Sequence, residues 1–482
     1  MNAPTDRSLP ATSRWRTLAS YAAMLAATGG IYLWIRSHGE QLRAPVAAPA
    51  TLSDGHGHTG ELAQLLLALA AITLLARLLG GVFRRYLRQP PVIGEIVAGL
   101  VLGPSVLGLL WPQAHAFLLP ESVAPSLGVI SKIGVVLFMF LVGLELDPKL
   151  LRGNTHSTIA VSHASIVVPF LLGATLALWI YPRYSNASVG FTAFSLFIGV
   201  SLSITAFPVL ARILRDRRAQ KTRLGATALA CAAVDDVSAW TLLALVVGIA
   251  TAKMSGAMWT VAYVALYVVG MLFVIRPLLQ RFFVRREQQR EGPLTHSALA
   301  FVFVALLASA VATEAIGIHA LFGAFLLGAI LPHEGRLASE LRGKIEDVVL
   351  VLFLPSFFAF TGLRTSIGLL ESSRDWLFCG LIVAVAIAGK FGGSFVAARL
   401  AGMGWRHSAA LGILMNTRGL MELIVLNLGL DLGVISPTVF TMMVFMALVT
   451  TFMASPLLDL LLGRRGFEDP PTGASAVVVG PG

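Results

Sequence analysis

Apolar residues in this chain come in runs long enough to cross a bilayer, and short polar stretches separate them. Thirteen such runs follow residue 60: 61–83, 92–110, 127–146, 157–180, 189–214, 224–250, 258–278, 297–313, 316–331, 348–363, 376–400, 408–430 and 437–462. A transmembrane helix needs about 20 mostly apolar residues, so each run predicts one span. An earlier apolar run, 17–35, follows Arg7, Arg14 and Arg16 and ends in Tyr32-Leu33-Trp34-Ile35-Arg36. With no small-residue cleavage site closing it, that run predicts a retained signal-anchor helix. The Ala/Pro-rich stretch up to Gly60 then reads as a solvated outside loop, where Asp54, His56 and His58 have the side chains to catch a metal.

The polar stretches orient the spans. Basic residues gather after the odd-numbered spans: Arg84, Arg85 and Arg88; Lys149 and Arg152; Arg215, Arg217, Arg218, Lys221 and Arg223; Arg281, Arg285, Arg286 and Arg290; Arg336, Arg342 and Lys344; Arg406; Arg464 and Arg465. The intervening loops hold few. By the positive-inside rule the odd spans run from outside to inside, and both termini face the cytoplasm. Six spans, a linker and six more is the arithmetic of an inverted repeat, because an odd linker flips the second half. The expected organisation is an anchor and outside loop (1–60), a first repeat (61–250), a linker helix and cytosolic loop (251–295), a second repeat (296–463) and a short tail (464–482). That tail is Gly/Pro-rich from Phe467, and no nucleotide-binding regulatory domain is expected in it.

Composition agrees with an all-α polytopic membrane protein. Of 482 residues 56% are hydrophobic and 13% charged, about half the charge of a soluble domain. The net charge of +11 would suit nucleic acid, but its confinement to one side of the spans excludes that partner. Cys231 and Cys379 fall in different spans, so no disulfide framework is implied.

A few charges break the apolar pattern, and these carry the chemistry. Asp235 and Asp236 lie side by side in the middle of the sixth span. A central Asp costs roughly 2.5 to 3.5 kcal/mol to insert, and two adjacent ones repel. Either the pair solvates a bundle interior and neutralises a lysine, or it is a site where a monovalent cation and H⁺ compete for carboxylate oxygen. Lys390, at mid-depth in the eleventh span and flanked by Gly389, Gly392 and Gly393, needs a buried partner. Asp235 is the expected partner, which leaves Asp236 as the cation carboxylate. The fifth and twelfth spans are interrupted at matching depth by Ser203-Ile204-Thr205-Ala206-Phe207-Pro208 and by Asn416-Thr417-Arg418-Gly419. Broken helices at corresponding places in two repeats point to a transport site. Arg418 and Glu422 sit one turn apart, as a structural pair or part of a gate. Glu95 and Glu145, near inner ends, read as cytosolic-rim charges or alternative partners for Arg418. Arg364 reads as an outer-rim cation, and His319 as a hydrogen-bonded core histidine.

Taken together, Asp235-Asp236, Gly389-Lys390, Pro90-Pro91-Val92-Ile93-Gly94-Glu95 and Asn416-Thr417-Arg418-Gly419-Leu420-Met421-Glu422 resemble the monovalent cation:proton antiporter-2 family. The likeness runs over 61–462 and is greatest to plant cation/proton exchangers and their bacterial relatives. It implies a homodimer in the cell membrane, with spans 4–6 and 11–13 as a moving core and the others as scaffold. It also implies that the two broken helices cross at the site with Thr205 near the ion. An Asp-Asp pair with a core lysine is similar to electrogenic sodium/proton exchangers. The expected activity is antiport of Na⁺ or K⁺ against H⁺ by alternating access, with no cofactor. The alternatives are a cation channel or a potassium efflux protein of the glutathione-gated type. An intramembrane aspartyl protease fits poorly, because adjacent residues on a helix point about 100° apart and its chemistry needs converging carboxylates.

Overall fold

The computed structural model describes residues 11–40, 42, 61–145, 156–220, 222–251, 257–289, 295–332 and 336–463. The His56/His58 loop, Lys149, Arg152, Lys221, Arg290 and the tail lie outside these residues.

Every regular element among the described residues is a helix. Leaving aside short helices at Leu107–Leu110 and Pro112–Leu118, in chain order they are α1 (Ala11–Gly39), α2 (Glu61–Tyr86), α3 (Pro91–Leu102), α4 (Val123–Glu145), α5 (His156–Tyr184), α6 (Phe191–Ser203), α7 (Phe207–Asp216) and α8 (Arg223–Thr251). The linker α9 runs Ala257–Gly270, then through a π-helical stretch into Arg276–Gln289. There follow α10 (His296–Ile316), α11 (Ala320–Ile330), α12 (Arg336–Val348, continuing through a π-helical stretch into Leu354–Leu363), and α13 (Ser373–Ile387, likewise continuing into Gly393–Leu400). The last are α14 (Trp405–Met415), α15 (Leu420–Asp431) and α16 (Pro437–Leu462).

Among the described residues eleven helical stretches are long and apolar enough to cross a membrane, and α14 with α15 form a further pair bent by 41°. With α11 these fall on the thirteen predicted stretches. The ninth differs from expectation. Gly317, at φ +93, ends α10, and His319 caps the next helix by accepting from Leu321 N through its side chain. The eleven residues of α11 then reach about 16 Å, roughly half the hydrocarbon thickness. The tenth differs too: Arg336, Arg342 and Lys344 belong to the first turns of α12 rather than to a loop.

The helices pack as two bodies. One, the scaffold, joins α2, α3, α4, α10, α11 and α12, with close contacts of α11 on α4 and of α12 on α3 and α4. The other, the core, joins α5–α8 with α13–α16, through α5 on α6, α13 on α5 and α16 on α13. α1 lies along α5 and α6. Its Ile35 is fully buried, and Tyr32 Oη donates to the Thr192 carbonyl at 3.3 Å. Large apolar side chains on α9, such as Leu266 and Phe273, point outward, as a lipid-facing helix requires.

Candidate ion site

Two helices stop short at mid-depth in the core and cross. α6 ends at Ser203 and α7 starts at Phe207, with Pro208 in the first turn where its missing N–H costs nothing. α14 ends at Met415, and α15 begins after Gly419, whose φ of +145° and ψ of −129° exclude a side chain. The unwound segments meet: Ala206 N donates to Thr417 O at 3.0 Å, and Thr205 Oγ1, whose single proton is shared with Asp235, lies 3.1 Å from Met415 O.

A broken helix leaves carbonyls without partners at its C-terminus. Those of α6 are taken by Arg418, whose Nη1 donates to Ser201 O at 2.9 Å and Nη2 to Leu202 O at 2.6 Å. The helix dipole favours a cation there. Glu422 Oε2 accepts from Arg418 Nη1 at 2.9 Å, and both side chains are fully buried. The pair therefore pins one broken helix to the other. Neither of the other acids considered for Arg418 serves it. Glu145 pairs with Arg342 at 2.5 Å, and Glu95 lies 3.6 Å from Arg77, all four within the scaffold. Glu422 holds Arg418 because it is one turn along the same helix. Glu95 is largely buried, at 8% exposed.

Beside the crossing, α8 presents the two aspartates, and their surroundings differ. Asp235 Oδ1 accepts from Ser162 Oγ at 2.7 Å. Its Oδ2 accepts from Ser165 Oγ at 2.6 Å, Thr205 Oγ1 at 3.0 Å and Lys390 Nζ at 2.8 Å. Lys390 and Asp235 are both wholly buried. The ammonium also donates to Ser165 O at 3.0 Å. That carbonyl is available because Pro169, four residues on within α5, has no N–H to offer it. Lys390 sits in the π-helical stretch of α13 (Ala388–Gly392). The neighbouring Gly389 lets α13 touch α5, since a Cβ there would lie 2.7 Å from Pro169 Cα.

Asp236 is 1% exposed, and among the described residues neither of its oxygens accepts a hydrogen bond. The helix turns about 100° per residue, so it faces away from the serines that satisfy Asp235. Buried polar groups are paired almost without exception, so an unpaired buried carboxylate is costly. At the crossing, Asn416 Oδ1 and Ser201 Oγ also lack partners among the described residues.

The structure thus gathers Asp235, Lys390 and Thr205 into one hydrogen-bonded cluster, sets Asp236 beside it on α8, and places Arg418 and Glu422 at the crossing. Ser162 and Ser165 were not evident from sequence, where hydroxyls in an apolar span look unremarkable. Pro169 was the available signal, because a mid-span proline frees the carbonyl four residues earlier.

Comparison with known proteins bears on the family and the fold. Residues 68–462 match the family described as sodium/hydrogen exchanger, transmembrane. The chain is 46% identical over 401 residues to the Na⁺/H⁺ antiporter NhaS4 of Synechocystis, covering 83% of this chain and 97% of that one. It is 40% identical to cation/H⁺ antiporter 17 of Arabidopsis thaliana, over 82% of this chain and 48% of that one. It is 34% identical to K⁺/H⁺ antiporter 1 of Saccharomyces cerevisiae, over 78% of this chain and 45% of that one. The chain therefore spans about half the length of the plant and yeast relatives. The fold matches the sodium proton antiporter MjNhaP1 of Methanocaldococcus jannaschii with a TM-score of 0.61 over 83% of this chain and 99% of that one, at 14% identity. With a family match running from α2 to the end of α16, the chain belongs to the sodium/hydrogen exchanger family and is a multi-pass membrane protein.

Proposed function

We propose that the protein exchanges a monovalent cation, Na⁺ or K⁺, for H⁺, and that Asp236 is the carboxylate the two ions occupy in turn. One observation carries the assignment: Asp236 is buried with both oxygens unpaired, while its neighbour Asp235 has donors on both. Asp235 is matched in charge by Lys390, so Asp236 is the uncompensated charge of the site. Either a proton or a hard cation neutralises it, and holding one excludes the other. A site exposed alternately to the two sides then couples two gradients with no nucleotide. Antiporters of Na⁺/H⁺ and K⁺/H⁺ type among the relatives support the same reading.

The moving part is the core, and the scaffold forms a homodimer in the cell membrane. A cation seated between the two aspartates displaces the Lys390 ammonium. The proton that Lys390 then releases makes exchange electrogenic. The channel reading is disfavoured by a buried lysine beside the site, which repels passing cations.

The test is a proteoliposome assay with an imposed pH gradient and a fluorescent pH probe. Asp236→Asn abolishes dequenching by Na⁺ and by K⁺, with the protein still folded. Full activity in that variant overturns the assignment.

A further inference from the structure

The two bodies are joined unequally on the two sides of the membrane, and the join involves residues outside the ion site. On the outer side, the last turns of α15 reach across to the scaffold. Asp431 is paired with Lys132 Nζ of α4 at 3.0 Å and with the guanidinium of Arg364, at the end of α12. One turn earlier, Asn427 Oδ1 accepts from Arg364 Nη1 at 3.0 Å, and Asn427 Nδ2 donates to Thr361 Oγ1 at 2.8 Å. Next to this, Ser366 N donates to Thr441 Oγ1 of α16 at 3.3 Å. Deeper in the outer half, Trp240 of α8 packs on Phe322 and Phe325 of α11. On the inner side, Gln89 Nε2 donates to Phe452 O at 3.0 Å beside a cleft of about 410 Å³. The cleft is lined by Arg84, Arg88 and Gln89 of the scaffold and by Arg212, Arg217 and Asp459 of the core.

We infer that the Asp431–Arg364–Lys132 cluster, with Asn427, is an outer latch: it holds the core against the scaffold while the inner side is open, and it breaks when the site turns outward. Arg364, the expected outer-rim cation, is thus an engaged one: its side chain is 23% exposed and is held by two residues of α15. The placement also gives a direct mechanical link. α15 is the second half of a broken helix whose first turn bears Glu422 and, just before it, Arg418, which hold α6. Moving the core moves Asp431 away from both scaffold cations together.

The latch deepens the antiport reading and rests on it. It acts by setting the population of inward- and outward-facing states, so it shifts apparent affinities rather than removing chemistry. A site available only in a minor state binds with an affinity reduced by that state's population. Weakening the latch raises the outward population, so the apparent KM for cation presented from outside falls. The apparent KM from inside rises by a smaller factor, because the inward state was already the populated one.

The experiment measures cation-driven H⁺ flux in oriented vesicles with cation supplied to one face at a time. Asp431→Asn lowers the outer KM by about fivefold and raises the inner KM, as expected from removing partly exposed ion pairs. Lys132→Gln, at a side chain 58% exposed and safe for folding, lowers the outer KM by about twofold and raises the inner KM by less. Asp431→Glu restores values near those of the parent. Opposed shifts in the two KM values support the latch. Unchanged values on both faces, or a rise on both, overturn it while leaving antiport standing. If Asp431→Asn fails to fold, the Lys132→Gln pair of values decides. Absence of any exchange in the parent protein would instead defeat the antiport reading on which the latch rests.

Discussion

Asp235 and Asp236 are neighbours on one helix, yet among the described residues one is surrounded by donors and the other has none. Asp235 faces α5, α13 and the break between α6 and α7, from which two serines, a lysine and a threonine converge on it. Asp236 faces elsewhere and is equally buried without a single donor. The contrast teaches that burial and charge do not by themselves mark a transport site. A buried carboxylate whose oxygens already accept from the protein's own donors takes a cation only by displacing one of them, as with Lys390 at Asp235. One that no donor of the described residues engages is free to bind either a proton or a cation.

The comparison can be broken in order of expected effect. Asp235→Asn removes the partner of a buried ammonium and leaves the Lys390 charge uncompensated. Loss of one member of a buried pair costs about 3 to 5 kcal/mol, so the thermal unfolding midpoint falls sharply. Asp236→Asn, by contrast, leaves the midpoint equal or higher, because it removes a charge that nothing pairs. Equal destabilisation by the two substitutions would mean that the aspartates are not distinct. Ser165→Ala removes a hydroxyl donor to a carboxylate while keeping the carbonyl that Lys390 uses. It costs about 1.5 to 3 kcal/mol by the same unfolding measurement, with exchange retained. An effect below the measurement's resolution would remove Ser165 from the frame of Asp235.

Much of this was legible in the chain itself, and the reasons it stopped being legible are physical. Span length and loop charge reveal the helices and their direction because the bilayer imposes both. Lys390 and an aspartate could be matched on charge alone, since a buried ammonium tolerates few solutions. The short α11 was hidden because its apolar run continues through Gly317 and His319, and hydropathy does not register a turn. The serines of α5 were hidden because their importance depends on Pro169 and on which way α13 leans. The outer latch was least legible. Lys132, Arg364 and Asp431 are far apart in sequence, and nothing local in any one of them signals that they meet. Asp431 in particular reads as an ordinary charge at a helix end.

The most direct test of the central claim is the apparent KM for cation measured at several pH values, with pH kept equal on both sides. Competition for the Asp236 carboxylate predicts that KM rises as pH falls, approaching about tenfold per unit for each proton that cation binding releases, and that saturating cation overcomes the inhibition. A KM that stays flat with pH, while only the maximal rate declines, would show that the two ions do not share a seat.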